Sequence, residues 1–158
     1  MRQVYLAATG RNHGKTTLSL GLLAALMDRG MDTAFAKPVG QRYAMVQGVP
    51  ADEDAILMKE QFHLDDRLVD MSPVHIPRGF TKSFIRGEVV EDLASKIDAA
   101  HRNLLVGHDA LIIEGTGHAG VGAVVGLSNA DVAARMRAPV IIVSEAGVGR
   151  PIDEIVLN

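Results

Sequence analysis

The chain has 158 residues, with 16 Lys and Arg against 19 Asp and Glu, a net charge of −3, no Cys, no Trp and 47% hydrophobic residues. Without Cys there is neither a disulfide framework nor a Cys-ligated zinc or iron–sulfur site, and a weakly acidic chain with no basic block argues against a nucleic-acid partner. The longest apolar runs, such as Leu20–Met27, fall far short of the roughly 20 residues that cross a bilayer, and no signal-peptide pattern opens the chain, so a cytoplasmic protein with no membrane partner is expected.

Val4–Ala8 reads as a first strand, followed by a Gly-containing turn and a helix from Lys15 to Arg29 that stops at Gly30. Thr33–Val39 reads as the second strand, closed by Pro38 and Gly40; a polar loop and a helix from Ala51 to Phe62 follow. Residues His63–Arg78, with three Asp and two Pro, read mostly as loop. Apolar residues at Val89, Leu93, Ile97, Ala100 and Leu104 predict a helix between Val89 and Val106, long enough to cover one face of a sheet. Ala110–Ile113 is the third strand, ending in Glu114-Gly115, and Ser128 or Asn129 caps a short helix to Arg137. Pro139–Ser144 is almost wholly apolar and reads as a fourth strand buried on both faces. Gly147–Arg150 then turns into a last helix, with Pro151 at the favoured first position. Alternating strands and helices predict an α/β fold: a parallel sheet, helices on both faces, and a site at the carboxyl ends of the strands.

The run Thr9-Gly10-Arg11-Asn12-His13-Gly14-Lys15-Thr16-Thr17 lies between the first strand and the first helix. It matches the phosphate loop G-x-x-x-x-G-K-[ST] at every defined position except the first, where Thr9 stands. Gly14 lets backbone approach phosphate oxygens, the helix N-terminus adds partial positive charge, Lys15 reaches the β- and γ-phosphates, and the Thr16 hydroxyl can ligate Mg²⁺. Residues Gly10 to Thr17 are therefore the expected nucleotide-binding segment of a P-loop NTPase-type domain spanning residues 1–158, with ATP and Mg²⁺ as its cofactors.

Magnesium needs further oxygen ligands. Glu114, directly after a buried strand, and Asp54, in Ala51-Asp52-Glu53-Asp54-Ala55, are the candidates; the acidic run around Asp54 also suits a helix N-terminus. Lys37, emerging from the second strand, can hold an anionic substrate or the γ-phosphate, or can be a solvated surface Lys. The six His, at 13, 63, 75, 101, 108 and 118, show no ligand spacing, although His13 and His118 lie in Gly-rich loops at strand ends. Gly115–Gly126, with Gly at 115, 117, 120, 122 and 126, reads as a mobile loop over the site.

These segments together resemble the dethiobiotin synthetase-like P-loop ATPases, a group that includes cobyrinic acid a,c-diamide synthase and the N-terminal domain of long phosphate acetyltransferases. The resemblance runs from Thr9–Thr17 through Phe35-Ala36-Lys37-Pro38-Val39, Glu53-Asp54-Ala55, Ile112-Ile113-Glu114-Gly115-Thr116-Gly117 and Asn129-Ala130-Asp131-Val132-Ala133 to the strand Ala138–Val143. It implies that Lys15 and Thr16 handle phosphates and Mg²⁺, that Asp54 and Glu114 complete the metal site, and that Lys37 helps hold a carbamate that ATP phosphorylates. Gly117-His118 and Gly40-Gln41 depart from the synthetase pattern, so the acceptor, a small carboxylate or amine, differs while the ATP apparatus is kept. Three activities remain open: ATP-dependent ligase-like activation of a carboxylate or carbamate; a non-catalytic regulatory nucleotide module; and a partition-type dimerising ATPase, disfavoured by Gly10 where that class has a signature Lys. In the resembling family the sheet continues past the last helix. C-terminal truncation, missing C-terminal strands, an exposed apolar sheet edge and self-association as a dimer are therefore expected.

Overall fold

The computed structural model describes residues 2–157. Strand β1 (Arg2–Ala8) leads into helix α1 (Lys15–Met27), then β2 (Thr33–Ala36) and β3 (Val39–Gly40). A hairpin, β4 (Tyr43–Val46) and β5 (Val49–Asp52), precedes α2 (Glu53–Phe62) and the short α3 (Leu68–Met71). There follow β6 (Val74–His75), α4 (Phe80–Ile85), α5 (Leu93–Leu104), β7 (Ala110–Glu114), a 3₁₀ turn at Ala123–Val125, α6 (Asn129–Arg135), β8 (Val140–Val143) and α7 (Arg150–Leu157).

Four strands form a parallel sheet in the order β2-β7-β1-β8. Period-two alternation divides its side chains between two cores. Tyr5, Ala7, Leu111 and Ile113 point to one face and pack with Leu93, Ile97 and Leu104 of α5 and Val132 and Ala133 of α6. Leu6, Phe35 and Ile112 point to the other and pack with Leu23 of α1 and Ala55 and Met58 of α2. Helices cover both faces, as the alternation of elements predicts. Phosphate loop, Lys37 and Glu114 all emerge at the carboxyl end of this sheet.

Several local expectations need correction. The second strand does not run to Val39: Pro38 has no N–H for the ladder, and the Lys37 N–H donates to the Met71 carbonyl at 2.7 Å, so the chain leaves the sheet at Ala36. Val39–Gly40 then pairs with Val74–His75, so the segment read as loop contributes both α3 and β6. The polar stretch after Gly40 is a β-hairpin whose two-residue turn, Gln47-Gly48, has φ of 51° and 82°. Both signs are positive, as a type I′ hairpin turn requires, and Gln in place of Asn hides the usual signal. Ala51 belongs to that hairpin, and α2 starts two residues later than its apolar spacing suggests. The helix predicted over Val89–Val106 runs only from Leu93 to Leu104: Asp92 caps its start, its carboxylate accepting the Ser95 N–H at 3.0 Å, and Val90 and Val106 stay exposed. Helix α4 is absent from the sequence reading.

The largest correction concerns β8. It is not buried on both faces: Val140, Ile141 and Ile142 are 46%, 45% and 40% exposed. It lies at the edge of the sheet, hydrogen-bonded to β1 alone among the described strands, so the apolar edge anticipated from sequence is present.

Asp52 shows how tightly the hairpin is fitted to α2. Its carboxylate caps the helix by accepting the Asp54 N–H at 3.0 Å, and a Cβ at Gly40 would come within 2.6 Å of its Oδ2. Burial pushes this carboxyl up to about 6, against the opposing pull of Lys37. The folded protein therefore binds the proton more tightly than the unfolded chain, and ionisation costs stability as pH rises from about 4 through 6. Asp52→Asn keeps a cap oxygen and removes the charge. It is expected to raise the unfolding free energy at pH 8 by about 1–2 kcal/mol, with the gain gone near pH 4, in urea titrations at the two pH values.

Candidate functional site

At the end of β1 the Thr9 N–H donates to Val143 of β8 at 3.1 Å, and the loop to α1 begins there. Gly14, the N-cap of α1, has φ of 92°, a conformation glycine adopts without strain, and brings no capping side chain. The first turn of α1 opens instead onto a cleft of about 770 Å³ lined by Arg11, Asn12, Gly14, Lys15, Thr16 and Thr17. Of the expected phosphate-loop residues, Gly10 and His13 lie outside that lining. The His13 ring lies over Gly10 and faces away, with Nδ1 3.1 Å from Thr9 Oγ1 and Nε2 3.3 Å from the Glu145 carboxylate.

Beside the loop five side chains converge: Thr16 and Ser19 of α1, Lys37 just past β2, Asp54 of α2 and Glu114 of β7. Glu114, at the end of β7, is 1% exposed. Its Oε2 accepts from Ser19 of α1 at 2.7 Å, and its Oε1 accepts from Thr16 at 3.0 Å and from Lys37 Nζ at 2.8 Å. Lys37 also donates to Asp54 Oδ2 at 2.7 Å and reaches the Gly115 carbonyl at 3.3 Å; Thr16 Oγ1 stands 3.5 Å from Asp54 Oδ1. Lys37 is therefore no solvated surface Lys. The acidic run before α2 also divides its labour: Asp52 caps the helix, and Asp54 turns into the site.

The charges here shape one another. Burial pulls the Lys37 ammonium down, but Glu114 and Asp54 outweigh it and hold its pKa above the usual lysine value. Burial raises Asp54, and the Lys37 charge and hydrogen bond more than reverse this, leaving it below the ordinary carboxylate value. Lys15 has less compensation: burial first and then the like charge of Lys37 lower it, and its Nζ donates at 2.7 Å to the Gly117 carbonyl.

The residues on either side of Gly117 are held by Asn129, the first residue of α6. The Asn129 amide oxygen accepts from Tyr5 Oη at 2.9 Å and the Thr116 N–H at 3.0 Å, and its Nδ2 donates to the Thr116 and His118 carbonyls at 3.0 and 2.8 Å. Thr116 Oγ1 also donates to the Val39 carbonyl. A Cβ at Gly115 would come within 2.4 Å of the Asn129 amide oxygen, so glycine is needed for close approach at this point. The start of the glycine-rich segment read as a mobile loop is thus tied on several sides. His118 bonds the Gly120 N–H through Nδ1 at 3.2 Å. Asp131 completes a capping box with Ser128.

Ser19, Thr116 and Asn129 escape the sequence reading, as do Arg78 and Thr81 on the far wall of the cleft. Signals exist for Ser19, which follows Lys15 by four residues and shares its helix face, and for Thr116 and Asn129, which lie in the runs that carry the family resemblance. The oxygens of Thr16, Asp54 and Glu114 fit a hard divalent cation, and a positive group, the Lys37 ammonium, already lies between the two carboxylates. Among the described residues, no group of three or more His, Cys, Asp or Glu could hold a metal, so phosphates or water would supply the remaining ligands. Among the same residues, no helix is long and apolar enough to cross a membrane.

The family described as AAA domain matches residues 2–158. The ATP-dependent dethiobiotin synthetase BioD of Anaeromyxobacter sp. (strain K) is 29% identical over 152 residues, covering 94% of this chain and 66% of the synthetase. The phosphate acetyltransferase of Pseudomonas aeruginosa is 29% identical over 147 residues, covering 91% of this chain and 19% of that enzyme. This chain therefore spans just under two thirds of the synthetase and about a fifth of the acetyltransferase. Among solved structures, the 54 kDa signal recognition particle protein of Aeropyrum pernix in complex with GDP superposes with a TM-score of 0.55 at 16% identity, covering 89% of this chain and 28% of that one, a likeness of fold. With its phosphate loop opening α1 at the carboxyl edge of a parallel sheet, the chain belongs to the AAA domain family and is a dethiobiotin synthetase-like P-loop domain.

Proposed function

We propose that the chain binds ATP with Mg²⁺ in this cleft and uses it to phosphorylate a carboxylate or carbamate, as a ligase-like enzyme of the dethiobiotin synthetase or cobyrinic acid synthase type. The observation that carries the reading is the convergence of Lys15, Thr16, Lys37, Asp54 and Glu114 beside the first turn of α1. Amides from Gly14 to Thr17 and the helix N-terminus meet the phosphates, and Lys15 exchanges the Gly117 carbonyl for a β,γ-oxygen. Thr16, Asp54 and Glu114 would hold Mg²⁺, which neutralises phosphate charge when bound. Lys37 holds the acceptor anion, whose oxygen forms a bond to the γ-phosphorus as the bond to the β,γ-bridging oxygen breaks, giving an acyl or carbamoyl phosphate and ADP. Arg11, Arg42 and Arg78 on the cleft walls add positive charge for nucleotide or acceptor. In this reading the protein is cytoplasmic and a dimer, with a small carboxylate or amine as its second substrate.

The match to about a fifth of an acetyltransferase favours a second reading, a nucleotide-binding module that regulates without turnover. ADP formation with a panel of mono- and dicarboxylates, and with bicarbonate plus diamines, separates the two. The first reading expects at least one acceptor to raise ADP formation roughly tenfold over the acceptor-free rate. Tight ATP binding with no acceptor-dependent turnover across the panel would replace it with the second.

A further inference from the structure

Lys37 lies among the oxygens that suit a divalent cation. Its Nζ is 2.7 Å from Asp54 Oδ2, 2.8 Å from Glu114 Oε1 and 3.3 Å from the Gly115 carbonyl oxygen. Thr16 Oγ1 shares the same Glu114 oxygen at 3.0 Å, and the other Glu114 oxygen is engaged by Ser19 at 2.7 Å. A magnesium ion approaching these carboxylates to about 2.1 Å would meet an ammonium already donating to both. Two cations cannot share those oxygens at such range without strong repulsion. The backbone of Lys37 is fixed by its N–H bond to Met71 and by Pro38, so relief must come from its flexible four-carbon stem. That stem borders the open cleft.

We propose that Lys37 is a tethered cation that competes with divalent metal for Asp54 and Glu114, so that metal entry drives its ammonium out of the carboxylate pair and into the cleft. The inference rests on the reading of Thr16, Asp54 and Glu114 as a metal site. It adds a regulation: the ammonium becomes available to an acceptor anion only after the metal has taken its place. In the metal-free protein the same ammonium neutralises two buried carboxylates that would otherwise repel. Competition is reciprocal, so whatever draws Lys37 into the cleft also strengthens metal binding.

The test uses Mn²⁺ alone as the probe, with free Mn²⁺ followed by electron paramagnetic resonance at fixed ionic strength. Lys37→Met is expected to bind Mn²⁺ roughly tenfold tighter than the parent protein, and adding Glu114→Gln to abolish that gain. A folded Lys37→Met protein with unchanged or weaker Mn²⁺ affinity would overturn the proposal. Because that substitution leaves two carboxylates facing each other, a second measurement uses the unaltered protein. Acylation of Lys37 by an amine-selective reagent, read by mass spectrometry against the exposed Lys82, should rise as Mn²⁺ binds. Unchanged or reduced labelling of Lys37 with bound Mn²⁺ would equally overturn it. Neither measurement contains nucleotide, so failure here is distinct from failure of the ATP reading, which Lys15→Ala decides.

Discussion

Lys15→Ala is expected to remove ATP binding while leaving the protein folded. The lysine is buried, and burial together with the like charge of Lys37 lowers its pKa. Its ammonium donates to the Gly117 carbonyl at 2.7 Å and, among the described residues, to no carboxylate at that range, so the fold gains little from its charge. Phosphates gain much more, because a desolvated ammonium beside a helix N-terminus meets them without reorganisation. Calorimetry should show ATP affinity weakened about a hundred-fold or more, on the order of 3 kcal/mol. The unfolding free energy should change by no more than about 1 kcal/mol. Unchanged affinity would mean that nucleotide, if it binds, binds elsewhere.

Glu114→Ala should act in the opposite sense, on stability first. Glu114 is almost fully enclosed, and Ser19, Thr16 and Lys37 all direct donors at it. Truncation leaves the buried Lys37 ammonium with one carboxylate in place of two, the Ser19 hydroxyl without its acceptor, and Thr16 with only the long contact to Asp54. Removing one partner of a buried ion pair costs about 3–5 kcal/mol, here because the enclosed Lys37 ammonium loses half of its compensation and keeps only Asp54. For a chain of this size that is a fall in Tm of roughly 6–20 °C by calorimetry. Glu114→Gln preserves the shape and one acceptor oxygen, so a smaller loss is expected. The double substitution Lys37→Met, Glu114→Leu should cost less than the sum of its parts, because it removes both charges together. Equal, additive losses would show that the two side chains are not energetically coupled.

Local chemistry made much of this molecule legible in advance. Short apolar runs mark β1 and β7 because both lie inside the sheet, and apolar residues at helical spacing mark α5 because it buries one face. The spacing of Gly14, Lys15 and Thr16 marks the phosphate loop because the demands of phosphate fall on adjacent residues. The hairpin β4–β5 and the pairing of Val39–Gly40 with Val74–His75 were not legible. The first depends on an unusual turn pair, and the second on strand contacts some 35 residues apart. Burial of β8 was misread for a related reason: an apolar strand looks alike at the centre and the edge of a sheet, and only its neighbours distinguish them.

The candidate site divides along the same line. Lys15, Thr16, Asp54, Glu114 and Lys37 can each be nominated from its own segment, by motif, strand end or family resemblance. That Lys37 lies between Asp54 and Glu114, that Ser19 holds the second Glu114 oxygen, and that Asn129 ties Thr116 and His118 to α6 are long-range facts. What the sequence alone determined was the α/β alternation and the phosphate loop, since both arise from residues adjacent along the chain. The tertiary structure alone decided which charges meet, because the burial and ion pairing of Lys37, Asp54 and Glu114 exist only once β2, α2 and β7 are packed side by side.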